Sequence, residues 1–529
     1  MSTLDLGANT LNRVLNMCSI RSLRYQLVVC GLVSLGLAGC SGSKNNSVSS
    51  TTGWKYNDPS YGGFEVVEGY KQETGPGLVF IEGGTFIMGR VEQDVVYDWN
   101  NTPRRVTVSS YYIDQTEATN VDYREYLYWL ARVMKDYRDV YEQALPDTLV
   151  WREPMSYNEP HVYNYLRSPA YNRYPVVGVT WKQVMDYAHW RSNRVNELLL
   201  VKRGVIEKLD VTNQSNENNF DTDAYLLGKY TPENHKGLPS LKPGEEQTGR
   251  KAGIEDGILL PKYRLPTEAE WEFAATGLLG NTVEETVAER RIYPWNGHNV
   301  RNSNTSRLGR MMANFVRGKG DYMGTAGHLN DKGDFTVEVD EFWPNDYGLY
   351  CMAGNVNEWV LDVYRPMTSE DVNEFRPFRG NIFDTYVTDP NDPKTVAGVN
   401  RLGQIDMRPV TDEEAANRRN YDKAYYVNYK DGDVMSGLLY QNDEGALRDE
   451  ESSTQMYDQG VTQKNLKNVG MTSLINDHVR VYKGGGWRDR AYWLSPGARR
   501  FLDENTATAD IGFRLAMDAV GKPAEADRQ

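Results

Sequence analysis

Thiols and imidazoles are the side chains best suited to redox or metal chemistry, and this chain of 529 residues has few of either. Its four cysteines are Cys18, Cys30, Cys40 and Cys351. Its six histidines are His161, His189, His235, His298, His328 and His478. No two histidines have the HxxxH spacing of a metal-binding helix, so only the fold could assemble a histidine site. No P-loop, dinucleotide fingerprint or Ser–His constellation occurs either, and the glycines of "KGGGWRD" indicate a tight turn beside a core tryptophan.

Cys40 ends an apolar run in the stretch "VSLGLAGCSGSKNN". Arg21 and Arg24 provide the positive flank of a secretory signal, and the apolar run is shorter than the roughly 20 residues that span a bilayer. The residues Leu37 to Cys40 resemble a bacterial lipobox, which predicts that residues 1–39 are removed and that the Cys40 thiol is acylated. An ordinary signal peptide or a buried N-terminal helix is the alternative.

The residues around the lipobox also predict a location. Position 41 is Ser rather than Asp, which in lipoproteins implies transfer to the outer membrane, and we expect the chain to face the periplasm. The polar stretch that follows predicts a flexible tether over residues 40–77. Met17 would begin a more ordinary signal peptide than Met1 does.

The composition excludes several classes of partner. The formal net charge is −14, and three of the arginines and one aspartate precede Cys40, so the charge after processing is near −16. Such a surface repels nucleic acid and anionic lipid. After processing only Cys40 and Cys351 remain, so an internal disulfide is not expected.

Short strands and three helices should position the remaining residues. Residues 78–90, "LVFIEGGTFIMGR", contain two apolar runs around Gly83-Gly84, which predicts a β-hairpin. The stretch 104–114, "RRVTVSSYYID", alternates as a strand does. The first predicted helix has Asn120 as its N-cap.

The second and third predicted helices begin with capping boxes. Thr180 and Thr267 are the N-caps, and Gln183 and Glu270 stand three residues further on. Short strands, glycine turns and loops account for most of the remaining chain.

Seven blocks occur in an order that resembles the sulfatase-modifying-factor, or formylglycine-generating enzyme, family. They are "GGTFIMGR", "YYIDQTEATNVDYREYL", "YPVVGVTWKQVMDYAHW", "YRLPTEAEWEFAA", "YPWNG", "NDYGLYCMAGNVNEWV" and "KGGGWRDRAYWLSPGARRFLDENTATADIGFRLA". The resemblance covers roughly 78–197, 263–364 and 481–517. It implies an irregular α+β fold related to C-type lectins.

The oxidase activity of that family depends on two cysteines in the C-terminal block, which bind copper. Soft thiolates are the ligands that Cu(I) requires. No cysteine follows Cys351 here, and Tyr492 and Gly497 stand near the positions where the thiols would fall. We therefore predict a non-catalytic member that needs no cofactor and has no catalytic residues, with a formylglycine-generating oxidase as the least favoured reading.

The resemblance also implies two structural calcium sites. One maps onto Cys351, the Gly354 and Val356 carbonyls and the Glu358 carboxylate. The other maps onto Asn314, the Phe315 carbonyl, Asp321 and the Tyr322 carbonyl. Calcium prefers oxygen ligands, which suits Glu358 but not Cys351. The alternative is that Asn355 and Glu358 only satisfy the amides of their own loop.

Two long insertions interrupt the predicted domain of residues 78–517. The first, 198–262, is charged and punctuated by Gly and Pro, and the second, 365–480, is rich in Asp, Asn and Tyr. Insertions of this length are usually functional or disordered, and tyrosine is enriched at interfaces, so we expect partner contacts in the second insertion. Residues 518–529 are predicted to be a flexible tail.

The lipobox, the missing thiols and the insertions together resemble the gliding-motility lipoproteins of Bacteroidota, closest to the GldJ type with the GldK/PorK type as the alternative. The resemblance implies a structural or assembly component of the type IX secretion and gliding machinery at the outer membrane. Its partners would be the K-type lipoprotein and the periplasmic ring partner of that lipoprotein, with no nucleic acid. A binding module for glycan or peptide is the second hypothesis.

Overall fold

The computed structural model describes residues 48–67, 70–90, 100–207, 212, 214–239, 248–277, 291–295, 298–316, 335–364, 384–410 and 478–521. The chain divides into two compact units. The smaller comprises Met1–Gly69 and Pro239–Gln247, and the larger comprises Tyr70–Leu238 and Thr248–Gln529. The predicted lipidation site Cys40 and the predicted calcium ligands Asp321 and Tyr322 lie outside the described residues.

The described residues combine α-helices with many short strands, as an α+β fold does. The helices are α1 (Asn120–Val133), α2 (Arg138–Ala144), α3 (Glu159–Asn164), α4 (Trp181–Lys202), α5 (Thr222–Leu226) and α6 (Glu268–Thr276). Within the described ranges, no helix combines the length and the apolar character that a membrane span requires.

The strands are short and belong to several sheets. They are β1 (Leu78–Ile81), β2 (Gly84–Met88), β3 (Arg104–Val108), β4 (Tyr111–Asp114), β5 (Leu238–Pro239), β6 (Thr248–Arg250), β7 (Tyr263–Arg264), β8 (Asn357–Val363), β9 (Asp384–Tyr386), β10 (Thr388–Asp389), β11 (Asp392–Val396), β12 (Met407–Pro409), β13 (Val479–Lys483), β14 (Arg500–Asp503), β15 (Ile511–Gly512) and β16 (Ala516–Asp518).

Two four-stranded sheets form the frame of the larger unit. One has the order β1-β4-β16-β7, and the other has the order β14-β13-β8-β15. All the pairings in these two sheets are antiparallel except that of β15 with β8, which places Gly512 opposite Glu358. The last two strands in the described residues, β15 and β16, therefore lie beside strands that are far away in sequence, and the segment between them enters the core.

The predicted hairpin over residues 78–90 is wrong, although both of its strands exist. Strand β1 pairs with β4, whereas β2 pairs with β3, so the two strands belong to different sheets. Gly83 lies at the crossing between them, and a Cβ atom there would come within 2.4 Å of the Val108 carbonyl oxygen. The close backbone approach, rather than a tight turn, explains the glycine.

The capping signals located the two later helices correctly. In α4 the Gln183 amide N–H donates to Thr180 Oγ1 at 3.2 Å, and in α6 the Glu270 N–H donates to Thr267 Oγ1 at the same distance. Helix α1 begins one residue earlier than predicted, because Thr119 is its N-cap. Asn120 is the first helical residue, and its side-chain amide donates instead to the Tyr165 and Tyr171 carbonyl oxygens.

The first insertion, 198–262, is a packed lobe in its described part. Its first residues continue α4, and a separate apolar cluster joins the end of that helix to the loop residues. The buried members are Leu200, Val205, Ile206, Phe220, Tyr225 and Ala252. The described part of the second insertion contacts this lobe, since the Asn216 amide donates to the Arg401 carbonyl at 3.0 Å and the Asn219 amide to the Leu402 carbonyl at 2.9 Å.

Candidate functional site

Glu358 lies at the centre of a buried charge cluster in the larger unit, which we call the Glu358 cluster: Glu117, Cys351, Asn355, Glu358 and Arg514. Strand β8 carries Glu358, and the segment between β15 and β16 carries Arg514. The Arg514 guanidinium donates to both Glu358 oxygens, with Nε–Oε2 and Nη2–Oε1 distances of 2.6 Å. Trp271 Nε1 on α6 donates to Oε2 at 2.7 Å. This bidentate geometry fixes the carboxylate in one orientation.

Glu117 supplies a second buried carboxyl group to the same cluster. The Asn355 side-chain amide donates to Glu117 Oε2 at 2.7 Å, and the Val356 N–H donates to Oε1 at 3.3 Å. Burial and then the negative charge of Glu358 raise the pKa of Glu117 well above its ordinary value, although Arg514 opposes the shift. The fold therefore disfavours the ionised form of Glu117 more than water does.

The loop before β8 is shaped by backbone that few side chains adopt. Cys351, Gly354 and Asn355 have positive φ values of 50°, 81° and 65°. Glycine and asparagine tolerate this region, whereas cysteine does so less readily. Burial, followed by the charge of Glu117, raises the pKa of the Cys351 thiol well above its ordinary value. Burial therefore disfavours the thiolate that metal binding or nucleophilic chemistry would need.

A second buried charge cluster, the Lys483 cluster, comprises Glu268, Glu272, Lys483 and Arg499. Glu268 and Glu272 stand four residues apart on α6 and so share one face of the helix. Lys483 Nζ lies 3.2 Å from Glu268 Oε1 and 2.7 Å from Glu272 Oε2. Arg499 Nε lies 3.0 Å from Glu268 Oε1. Each side chain is at most 2% exposed, so this cluster is part of the core.

The two positions near which copper-binding thiols would fall both contact Arg90. The guanidinium carbon of Arg90 lies 5.3 Å from the centroid of the Tyr492 ring, and its Nη1 donates to the Tyr492 carbonyl at 3.4 Å. A Cβ atom at Gly497 would come within 2.6 Å of Arg90 Cβ. The predicted turn in "KGGGWRD" is present beside Trp487, which is 3% exposed, with Gly484 and Gly485 in left-handed backbone.

The donors around Glu358 do not suit calcium. Three of the roughly four lone-pair positions on the Glu358 carboxylate accept hydrogen bonds from Arg514 and Trp271, and Arg514 already neutralises its charge. Val356 is buried, and Cys351 is not an oxygen ligand. Among the described residues, no three His, Cys, Asp or Glu side chains form a group that could hold a metal ion.

The second predicted calcium group is only partly described. Asn314 is buried, its side-chain amide donates to the Phe335 carbonyl at 2.6 Å, and its backbone carbonyl accepts from the Asn355 N–H at 2.9 Å. Phe315 is buried in an apolar cluster with Met311 and Leu494. The structure thus brings Asn314 beside the Gly354–Asn355 loop, and calcium binding by this group stays a prediction.

Sequence reasoning missed the partners of the buried charges. Arg514 follows Phe513 and precedes Leu515 in an apolar run, and Lys483 ends a strand whose inward residues are apolar. A charged residue within an apolar run indicates a buried charge that must find a partner, and this signal was available. The sequence does not indicate which carboxylate pairs with Arg514, because Glu358 and Arg514 are 156 residues apart.

Comparisons with known proteins identify a matching family model and several relatives. Residues 63–407 match the family model described as "Sulfatase-modifying factor enzyme 1-like domain". The chain is 25% identical over 288 residues to the formylglycine-generating enzyme of Mus musculus, which covers 54% of this chain and 58% of that protein. It is 27% identical over 294 residues to the inactive C-alpha-formylglycine-generating enzyme 2 of Mus musculus, which covers 55% and 70% respectively.

A solved structure gives a more distant likeness. PvdO from Pseudomonas aeruginosa aligns over 83% of this chain and 94% of its own length, with 15% identity and a TM-score of 0.36. The chain spans less than two thirds of the length of the mouse formylglycine-generating enzyme. The family match covers more than half of the chain, however, and the α+β organisation agrees with it. The chain belongs to the family of sulfatase-modifying factor enzyme 1-like domains.

Proposed function

We propose that the chain is a non-catalytic lipoprotein of the outer membrane, anchored through Cys40, that serves as a structural component of the type IX secretion and gliding machinery. The main support for a non-catalytic role is the identity of the two residues beside Arg90, Tyr492 and Gly497. These positions hold an aromatic ring and a glycine, and neither supplies the thiolate that a Cu(I) centre needs. The only cysteine in the described residues, Cys351, is buried with a raised pKa.

Two further observations support the proposal. A relative in the same family carries the name "Inactive C-alpha-formylglycine-generating enzyme 2", so non-catalytic members exist. The sequence resembles GldJ-type lipoproteins in its lipobox and in stretches such as "DWNNTPRRVTV" and "ALPDTLVWRE". The K-type lipoprotein and its periplasmic ring partner are the proposed partners.

A turnover assay tests the non-catalytic part. The purified chain, reconstituted with Cu(I), is incubated with a sulfatase peptide, and the mouse formylglycine-generating enzyme is the positive control. We expect no conversion of the peptide cysteine to formylglycine above the protein-free background. Turnover above that background would refute a non-catalytic role.

Crosslinking tests the assembly part. Outer membranes that contain the wild-type chain are crosslinked, and the captured proteins are identified by mass spectrometry. We expect the K-type lipoprotein and its ring partner, and we expect the Cys40→Ser variant to leave the outer-membrane fraction and to lose both. Normal outer-membrane fractionation of that variant would refute anchoring through Cys40. Capture of neither partner by the wild type would refute the assignment to the type IX secretion machinery.

A binding module is the second candidate, and one cleft favours it. A cleft of about 370 Å³ in the larger unit is lined by Tyr187, Trp190, Arg191 and Arg194, together with the carboxyl groups of Asp114 and other acidic residues. Asp114 already forms a bidentate pair with Arg191 at 2.8 Å, which leaves less of this charge available to a ligand. Retention of the purified chain on a glycan or peptide array would favour this candidate.

A further inference from the structure

Residues 48–67 of the smaller unit form a compact segment whose side chains are all at least partly exposed. None of these twenty residues is buried. The largest apolar side chains are among the most exposed: Trp54 is 59% exposed, Phe64 is 67% exposed and Tyr61 is 41% exposed. Isolated exposed apolar residues are ordinary on protein surfaces, but a concentration of aromatic rings in one short segment indicates a contact surface.

Hydrogen bonds within the segment hold these rings in place. The Ser49 N–H donates to the Trp54 carbonyl at 2.8 Å, and the Asn57 N–H donates to the Phe64 carbonyl at 2.8 Å. The Asn57 side chain accepts from the Val66 N–H at 2.8 Å and donates to the Val66 carbonyl at 3.0 Å. Much of the backbone polarity is thereby satisfied internally, which lowers the cost of placing the segment in a less polar medium.

The aromatic rings also contact one another in pairs. The centroids of Trp54 and Tyr61 are 6.4 Å apart, and those of Tyr56 and Phe64 are 5.8 Å apart, both in edge-to-face geometry. Lys55 Nζ lies 5.7 Å from the Tyr61 ring centroid. Tryptophan and tyrosine are the residues enriched at the boundary between lipid and water, where an apolar ring and a polar group are both accommodated.

We propose that residues 48–67 bind the surface of a phospholipid bilayer, with Trp54 and Phe64 inserted among the headgroups. The inference rests on the proposed acylation of Cys40, because Val48 stands only eight positions after Cys40, with seven residues between them. A fully extended chain of that length reaches roughly 28 Å, so the segment cannot leave the neighbourhood of the membrane. Acylation gives the segment a high local concentration at the lipid surface, where even a weak affinity orders it.

The net charge of residues 48–67 makes this segment better suited to a lipid surface than the rest of the chain is. Lys55, Asp58 and Glu65 are its only charged residues, which makes its net charge −1, whereas the whole chain carries −14. Repulsion from anionic lipids is therefore small here, and burial of the rings dominates the binding. Because the attraction is apolar, it should change little with salt concentration.

Vesicle binding by the unacylated full chain tests the proposal without relying on the anchor. The processed chain with Cys40→Ser is mixed with vesicles of phosphatidylcholine, which carry no net charge, and the bound fraction is measured by sedimentation. We expect Trp54→Ala with Phe64→Ala to lower the partition coefficient by about tenfold or more. The matched control is Met155→Ala with Tyr157→Ala, since these residues of the larger unit are 106% and 84% exposed. We expect that control to bind as the parent does.

Brominated lipids supply a second readout. They quench the fluorescence of indole rings that enter the bilayer, so the quenching of the parent should be lost in Trp54→Phe. Equal partitioning of the aromatic double variant and its parent, or no vesicle binding by the parent, would overturn the proposal. Mass spectrometry of the wild-type N-terminus decides acylation separately, so a failure of the anchor and a failure of the lipid-binding segment give different results.

Discussion

Helix α6 carries two members of the Lys483 cluster and donates a hydrogen bond from Trp271 to the Glu358 cluster, but the two clusters differ in their balance of charge. The Lys483 cluster has two carboxylates and two cations, Lys483 and Arg499. The Glu358 cluster has two carboxyl groups, Glu117 and Glu358, and one cation, Arg514. The charged side chains of both clusters are almost completely shielded from water, so solvent exposure does not explain any difference between their pKa values.

The pKa values follow this balance. Burial by itself would raise the pKa of Glu268, but Arg499 and Lys483 outweigh it, and the pKa lies below its ordinary value. At Glu117, burial and the charge of Glu358 outweigh the single cation, and the pKa lies well above its ordinary value. The pKa values of two glutamates at similar depth thus shift in opposite directions, because the clusters differ in the number of cations near each carboxyl group.

Removal of Arg514 should have the largest effect. Arg514→Met leaves Glu358 without a cation in the core, and breaking a buried pair in this way costs about 3–5 kcal/mol of unfolding free energy. Urea denaturation measures the loss, and Arg138→Met is the matched control, since that side chain is 86% exposed. If Arg514→Met alone is insoluble, adding Glu358→Gln should restore soluble protein. A loss below about 1 kcal/mol would contradict the assigned pairing.

Conversion of glutamate to glutamine should distinguish the clusters. Glu268→Gln leaves Lys483 and Arg499 with one carboxylate fewer, and we expect a loss of about 1–3 kcal/mol. Glu117→Gln removes a carboxyl group whose pKa is raised in the fold, so at neutral pH we expect no loss of stability and instead a gain. Both variants are compared by urea denaturation at neutral pH. A larger loss from Glu117→Gln than from Glu268→Gln would reverse the comparison.

The pH dependence of stability should differ in sign between the two glutamates. Because the folded pKa of Glu117 is raised, its contribution is complete below the ordinary glutamate pKa of about 4.3 and is lost as pH rises through the folded value. The wild type should therefore lose stability relative to Glu117→Gln from about pH 5 upward, by at most about 1.4 kcal/mol per pH unit.

The lowered pKa of Glu268 gives the opposite behaviour. Its contribution is present above the ordinary glutamate pKa and is lost as pH falls through the folded value. Parallel pH profiles for the wild type and Glu117→Gln would show that Glu117 is ionised in the fold.

Calcium should have the smallest effect of all. Because Arg514 and Trp271 occupy the Glu358 carboxylate, we expect Glu358→Gln to alter the difference in melting temperature between calcium and chelator by less than about 1 °C. Differential scanning calorimetry makes the measurement. If calcium raises the melting temperature by several degrees and Glu358→Gln abolishes that rise, the cation displaces the guanidinium. A calcium-dependent rise in melting temperature that survives in Glu358→Gln would point to the Asn314 group instead.

Local signals in the sequence determined the beginnings of helices α4 and α6 and the family. Thr180 and Thr267 cap α4 and α6 because a hydroxyl and a carboxamide or carboxylate three residues later satisfy the same amides whatever lies around them. The absence of any cysteine after Cys351 is likewise a property of the sequence alone. Such features need no partner from elsewhere in the chain.

Tertiary structure decided the strand pairing and the direction of the pKa shifts of the buried glutamates. The glycines at 83–84 suggested a hairpin, yet β1 and β2 take distant partners, because the close approach of Gly83 to Val108 is a long-range contact. The sequence likewise contains Glu117 and Glu358 but does not show which polar and charged groups surround them. Asn355 lies 238 residues from Glu117, and Arg514 lies 156 residues from Glu358. A buried carboxyl group takes its charge from the neighbours that folding brings to it, and those neighbours are set by packing and not by local sequence.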